Sequence, residues 1–302
     1  MTATLARFRA LSPRVRAMSY MMVMVLCFAI LEVLAKTLSR LYPVPMIVWA
    51  RYAVHAAWML YFLARMGPRL AQTSMFGGQV FRATLLVGST SCYFLALSYL
   101  PMAETKAVSF VAPLLVTVLA VWLLKEKVGP ARWAAVLVGF AGILLIIRPG
   151  SAMLQWPALL PIAAAMFYSL YQIMTRRIAD TERPRTTLFY TGVVGFVWMS
   201  LAVPFFWKTP DLIHLPLFFV LGSVAGFGHY MLIKALELEN ASVLSPLGYV
   251  QMVWVMLFGF LFFGDLPDGL SLLGMLVIVG SGVYVAIGHR FAPQEEPDTT
   301  IE

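Results

Sequence analysis

Long apolar runs follow one another along the whole of this chain, separated by short turns that contain proline, glycine and charged residues. About 20 apolar residues in an α-helix cross the hydrocarbon core of a bilayer. Because lipid offers no hydrogen bonds to the backbone, each run must pair its own N–H and C=O groups as a helix. Hydrophobic residues make up 61% of the chain and charged residues 12%. The corresponding fractions in soluble domains are about 45–50% and about 25%. The sequence therefore predicts an all-α membrane protein.

Lysine and arginine predict the orientation of these helices. With a cytoplasmic N-terminus, sixteen of them fall in the cytoplasmic segments and three in the outer turns, as the positive-inside rule requires. We expect cytoplasmic termini and a multi-pass protein of the bacterial cell inner membrane. This scatter over turns explains the net charge of +8 without a nucleic-acid partner. The ten predicted transmembrane helices are Met18–Leu38, Pro45–Ala64, Gln79–Tyr99, Ala103–Leu124, Pro130–Ile147, Leu154–Thr175, Thr186–Trp207, His214–Leu236, Ser242–Phe263 and Gly269–Gly288.

The second half of the chain repeats the pattern of the first. An ungapped shift of 139 residues places Glu126, in the turn after helix four, on Asp265, in the turn after helix nine, and Phe110 on Tyr249. Each unit has five helices, so the second unit must enter the membrane from the opposite side. Inverted repeats around a midplane site are a common basis of alternating access. We expect a cytoplasmic segment at 1–17, five-helix repeats at 18–150 and 151–289, and a disordered cytoplasmic tail at 290–302.

Several motifs resemble one family of membrane proteins. Pro113 in helix four, Glu126 in the next turn and Arg51 in helix two resemble the ten-helix EamA-type members of the drug/metabolite transporter superfamily. The segment LPMAETKAVSFVAPL at 100–114 is similar to the sequences of the branch that contains S-adenosylmethionine and riboflavin uptake proteins.

The resemblance implies transport of a small molecule through a central cavity lined by helices three, four, eight and nine. The second repeat departs from the family pattern, because Asp265 replaces the usual Glu and Met252 the usual Pro. We therefore expect its turn and its mid-helix bend to differ from those of the first repeat.

Charged residues inside the bilayer are the first candidates for function, because each costs at least about 2.5–3.5 kcal/mol on insertion scales. Glu32 and Arg51 each lie roughly 9 Å below the outer interface, on adjacent antiparallel helices. They are expected to form an ion pair, which either pins the two helices or meets the substrate or a coupling proton. His55, one turn below Arg51, either relays a proton or donates to a backbone carbonyl.

A second set of candidates is polar or aromatic. Helix nine carries Ser245 and Tyr249 on one face. Helix four offers Ser109 and Phe110 before Pro113, which frees a backbone carbonyl. Each of these residues has a plainer role in helix packing, and the sequence leaves that alternative open. The expected substrate-binding residues are Tyr93, Ser109, Phe110, Tyr168, Tyr171, Gln172, His229, Tyr230, Ser245 and Tyr249.

The predicted function is secondary active or facilitative transport of a small organic metabolite. An aromatic lining with a few polar anchors suits an amphipathic compound with a ring. Uptake of a flavin- or nucleoside-like compound is the first expectation, and export of amino acids or drugs is the alternative. The chain lacks a Gly-rich phosphate loop, a His-Glu-x-x-His motif and a Cys pair at metal spacing, so no enzyme activity, cofactor, metal or ATPase domain is expected. A membrane-embedded enzyme, a non-transporting subunit, proton coupling, and a monomer or homodimer stay open.

Overall fold

The structure is a computed structural model that describes residues 11–123, 129–148, 156–178, 181–239 and 241–288. Within these ranges every regular element is a helix, so the predicted all-α class is confirmed. The α-helices are α1 (Pro13–Ser39), α2 (Val44–Met66), α3 (Phe76–Tyr99), α4a (Met102–Ser109), α4b (Ala112–Leu123), α5 (Pro130–Ile147), α6 (Leu159–Ile178), α7 (Pro184–Ala202), α8 (Leu215–Leu236), α9a (Ala241–Gly248), α9b (Val250–Phe263) and α10 (Gly269–Gly288).

Seven helical segments of the described chain are long and apolar enough to cross a membrane. The protein is therefore a multi-pass membrane protein. The seven are Pro13–Ser39, Val44–Met66, Phe76–Tyr99, Met102–Leu123, Trp156–Ile178, Pro184–Phe206 and Leu212–Leu236. Shorter apolar helices occupy Trp133–Ile147, Val250–Phe263 and Gly269–Val285.

The fourth and ninth predicted spans are each interrupted near the middle. The first interruption lies at Phe110, between α4a and α4b. Pro113 has no N–H to bond to the carbonyl four residues earlier, which weakens the helix there. The second lies at Tyr249, directly after Gly248, and glycine favours a helix by about 1 kcal/mol less than alanine does. Met252 in place of proline therefore does not remove the bend, and both breaks fall at positions that the shift of 139 residues makes equivalent.

Helix contacts between the two halves of the bundle come in matching pairs. Helix α1 packs along α8, and α6 packs along α3. Likewise α2 contacts α8, and α7 contacts α3. Helix α5 packs on α10, and α2 packs on α7. If each of the first five spans is exchanged with the span five places later, every one of these contacting pairs becomes another of the pairs or stays the same. Two equivalent units would pack in this way.

Helices α5 and α10 cross with their backbones in contact. A Cβ atom built on Gly142 would lie 2.9 Å from the Gly274 carbonyl oxygen, and one built on Gly274 would lie 2.7 Å from the Gly142 oxygen. Glycine permits this close approach, which strengthens van der Waals packing between membrane helices.

One end of the bundle, which holds the 264–268 loop, is joined by two ion pairs. It is called the outer end below because the charges of the turns predict that it faces away from the cytoplasm. Gly264 ends α9b with φ +72°, and its N–H donates to the Phe260 carbonyl at 3.0 Å, which is the αL C-cap motif. The turn brings the Asp265 carboxylate to 2.8 Å from Lys36 Nζ. Arg148, at the end of α5, pairs with Asp268, and its hydrogen bond holds the pKa of Asp268 below the usual range.

Candidate functional site

Glu32 is buried and connects α1 to both interrupted helices. Its Oε1 atom accepts a hydrogen bond from Lys106 Nζ of α4a at 2.8 Å and one from Gln251 Nε2 of α9b at 2.8 Å. The expected ion pair between Glu32 and Arg51 is therefore wrong. Lys106 lies inside the bundle with 13% of its side chain exposed, and it takes the position beside Glu32 that was expected for Arg51.

Aromatic rings enclose this ion pair. Lys106 Nζ lies 5.5 Å from the centre of the Tyr93 ring and 5.1 Å from that of Phe110, within the range of cation–π attraction. The Phe110 and Tyr249 rings, at the two helix breaks, are 5.0 Å apart. The buried Tyr93 hydroxyl lies within electrostatic range of the Glu32 carboxylate but makes no hydrogen bond to any residue that the structure describes. The central cluster, as we call it, consists of Glu32, Tyr93, Lys106, Phe110, Tyr249 and Gln251.

Arg51 belongs to a second group of polar side chains. It donates to Thr90 Oγ1 of α3 at 2.8 Å and to His229 Nε2 of α8 at 3.4 Å. Its guanidinium lies 4.8 Å from the Tyr52 ring centre and 6.0 Å from that of Phe94. Because arginine can only donate hydrogen bonds, His229 must accept through an unprotonated Nε2. This imidazole is therefore neutral in this arrangement.

Arg82 is a buried charge that sequence reasoning missed. It was counted among the cytoplasmic charges, yet only 1% of it is exposed. It donates to the Thr187 carbonyl at 2.7 Å, to Thr175 Oγ1 at 3.4 Å and to Thr191 Oγ1. Its guanidinium lies 4.9 Å from the Tyr171 ring centre. The signal that could have found it is its position inside the predicted apolar run 79–99.

His55 completes this second group. It is buried, and its ring stacks on that of His229 with the ring centres 6.1 Å apart. His229 is within electrostatic range of Arg51, His55 and Arg82. These four residues are called the basic cluster below.

The other predicted residues are not members of the two clusters, although Tyr171 contacts Arg82 of the basic cluster. Ser109 Oγ donates to the Thr105 carbonyl of its own helix at 2.9 Å. Tyr168 stacks on Tyr171 with the ring centres 5.6 Å apart, and the half-buried Gln172 follows on the same helix. Tyr230 does not face a cluster: it is 44% exposed, and its ring lies 5.9 Å from Lys234 Nζ. The side chain of Ser245 and the whole of Glu126 lie outside the described residues.

Two cavities lie away from both clusters. One of about 260 Å³ adjoins Lys36 and Asp265 at the outer end. The other is an apolar groove of about 580 Å³ between α2 and α8, lined partly by Trp58 and Phe219. Packed helices cover most of the surface of the charged groups in both clusters. In the described part of the chain, no group of three or more His, Cys, Asp or Glu side chains is placed to hold a metal ion.

Comparison with known proteins gives consistent matches along nearly the whole chain. The model of the EamA-like transporter family matches residues 15–148 and 155–287. An S-adenosylmethionine uptake transporter of Rickettsia bellii is 26% identical over 246 residues, which are 82% of this chain and 84% of the relative. A riboflavin transporter of Vibrio cholerae is 29% identical over 266 residues, 86% of this chain and 89% of the relative. A solved structure with 22% identity shares the fold with a TM-score of 0.64, over 90% of this chain and 96% of its own.

Proposed function

Because the chain belongs to the EamA-like transporter family, as its sequence motifs predicted, we propose that it moves its substrate by alternating access to one central site. The family match makes the protein a transporter of small metabolites. The alternatives of an embedded enzyme and a non-transporting subunit are not favoured, since the relatives are named as transporters.

The proposed architecture is ten transmembrane helices in two inverted five-helix repeats. The family model matches the chain twice, once in each half. The matching helix pairs, α1 with α8 and α6 with α3, support the same division. With the charge bias of the turns, this arrangement gives cytoplasmic termini in the bacterial inner membrane.

The central cluster is the proposed centre of the transport site, and one observation carries that proposal. Phe110 and Tyr249, which stand at equivalent places in the two repeats, meet at the two helix breaks beside the buried Glu32–Lys106 ion pair. Interrupted helices around a midplane site are the usual construction of secondary transporters. Ionisable side chains within membrane segments almost always face the interior of the bundle, where they mark substrate or ion pathways.

The proposed substrate is a flavin- or nucleoside-like compound, and the proposed direction is uptake. The names of the two relatives, an S-adenosylmethionine uptake transporter and a riboflavin transporter, support this class. Aromatic side chains beside polar groups, such as Phe110 and Tyr249 beside the ion pair, suit a planar ring. Transport would proceed without ATP hydrolysis by this chain, with Glu32 or His55 as the group that a coupling proton would use. Export of amino acids or drugs is the second candidate.

Flux into proteoliposomes tests the proposal. The purified full chain is reconstituted, and uptake of labelled riboflavin, S-adenosylmethionine, nucleosides and amino acids is measured against empty liposomes. We expect saturable, protein-dependent uptake of at least one ring-containing compound. Tyr249→Ala should reduce it strongly, whereas the lipid-exposed Tyr284→Ala should not. Absence of saturable flux for the whole panel would overturn the proposed function.

A further inference from the structure

The basic cluster holds positive charge that no described carboxylate balances. Arg51 and Arg82 are 6% and 1% exposed. Their hydrogen-bond partners are hydroxyl groups, a backbone carbonyl and an imidazole. Among the residues that the structure describes, no carboxylate lies within ion-pair distance of either guanidinium. Lys106, by contrast, has Glu32. A buried charge without an opposite partner costs free energy, and an anion bound from outside the protein would lower that cost.

Arg51 has hydrogen-bonding capacity to spare. A guanidinium offers five N–H donors in a planar fork. Arg51 donates to Thr90 at 2.8 Å and, over a longer 3.4 Å, to His229. Its Nε atom is buried and has no partner. A fork with unused donors is the geometry that binds a carboxylate or a phosphate through two parallel hydrogen bonds.

The neighbours of Arg51 add to its attraction for an anion. His55 Nε2 is buried and unpartnered as well, and the His55 ring stacks on His229, 6.1 Å between the ring centres. Arg82 is within electrostatic range of His229 as well. Charges of one sign with low-dielectric walls focus the electric field and concentrate ions of the opposite sign.

We infer that the transported substrate carries an oxyanion, either a carboxylate or a phosphate, and that Arg51 binds it. The oxyanion takes the place of His229 as acceptor, while the bond of Arg51 to Thr90 keeps the guanidinium oriented. Arg82 already donates to three oxygen atoms through its two terminal nitrogens, although its Nε also lacks a partner among the described residues, and it stays in place and contributes charge. This inference rests on the proposed transport function and adds to it the charge class of the substrate.

Matched pairs of compounds test the inference. Flavin mononucleotide and riboflavin differ by one phosphate, and S-adenosylmethionine and its decarboxylated form differ by one carboxylate. Thermal unfolding of the full chain in detergent is followed while each compound is titrated. In at least one pair, the anionic member should stabilise the protein at concentrations at least about tenfold lower than its partner, since a hydrogen bond to a charged group is strong.

Variants assign this preference to Arg51. Arg51→Met should remove the preference, and Arg51→Lys, which keeps the charge but not the fork, should weaken it. Arg69→Met removes the same charge at an exposed position and should leave the preference intact. If Arg51→Met does not fold, Arg51→Lys alone tests whether the preference depends on Arg51.

The inference is wrong if no anionic member is preferred, or if Arg69→Met weakens the preference as much as the Arg51 variants do. Flux of riboflavin without preference for its phosphate would overturn the inference and leave the transport function standing.

Discussion

At the scale of single residues, the Glu32–Lys106 ion pair is the contact on which the site depends. Both side chains are inside the bundle, and the carboxylate also accepts from Gln251. A buried pair of this kind contributes little net stability, yet removal of one partner leaves an uncompensated charge. The pair therefore fixes the position of α4a relative to α1 and α9b rather than stabilising the fold as a whole.

A double-mutant cycle tests this pairing. Glu32→Gln and Lys106→Met should each lower the free energy of unfolding by about 3–5 kcal/mol, because each leaves the other group buried without its partner. The double variant should recover most of the loss, as read from thermal unfolding in detergent. In the same cycle between Glu32 and Arg51, the two changes in the free energy of unfolding should add, since those side chains are not paired. Additivity between Glu32 and Lys106 would contradict the structure.

The sequence identified the buried charges better than their partners. Hydropathy alone singles out Glu32 and Arg51, because a charge within an apolar run is conspicuous. Pairing depends on the rotation of each helix about its axis and on which helices are neighbours, and neither can be read from the length of a run. Arg82 was assigned to a cytoplasmic turn because it lies near the start of its run, although α3 begins at Phe76 and so carries Arg82 into the bundle.

At the scale of helices, regular spans are predictable and interruptions are less so. The predicted range for α5 agrees with the structure. Helix α1 begins five residues earlier than predicted, at Pro13, because Ser12 caps it by accepting from the Val15 N–H at 3.4 Å. Pro113 indicates the break at Phe110, whereas the apolar run alone does not mark the break at Tyr249, where Met252 takes the place of proline.

The crossing of α5 and α10 gives a prediction at this scale. Gly142→Ala should lower the unfolding temperature, because the added methyl group would lie 2.9 Å from the Gly274 carbonyl oxygen, and overpacking of this kind costs about 1–3 kcal/mol. Gly280→Ala is the matched control on α10, where a Cβ atom meets no other group within 4 Å. The control should be neutral or slightly stabilising, because alanine favours a helix. Equal effects of the two variants in a thermal unfolding assay would contradict the proposed crossing.

At the scale of the whole molecule, the proposed inverted two-repeat architecture rests on the odd number of spans predicted for each unit and on the charges of the turns. Both features are visible in the sequence, because membrane insertion itself depends on run length and on lysine and arginine. How the two units pack, and which polar groups they enclose, depends on side-chain fit and was not predictable from these features.

Cysteine labelling tests the orientation of the molecule. In a variant without the two native cysteines, Gln72→Cys and Thr209→Cys place single exposed thiols in turns expected on opposite sides of the membrane. A membrane-impermeant maleimide added to intact spheroplasts should modify the cysteine at 209 at once and the cysteine at 72 only after lysis. The reverse order would invert the proposed topology, and labelling of both before lysis would place the two turns on the same side.

The motion of the two units can be tested directly at the outer end, where Lys36 of the first unit meets Asp265 of the second at 2.8 Å. Lys36→Cys with Asp265→Cys, again without the native cysteines, is joined by a short bifunctional maleimide, and uptake of the transported compound into proteoliposomes is measured before and after joining. Lys234→Cys with Glu237→Cys, a pair at the C-terminal end of α8, is the control. Alternating access predicts that the link across the units stops uptake while the link at the end of α8 does not. Uptake at the unlinked rate through the protein joined at 36 and 265 would contradict the account.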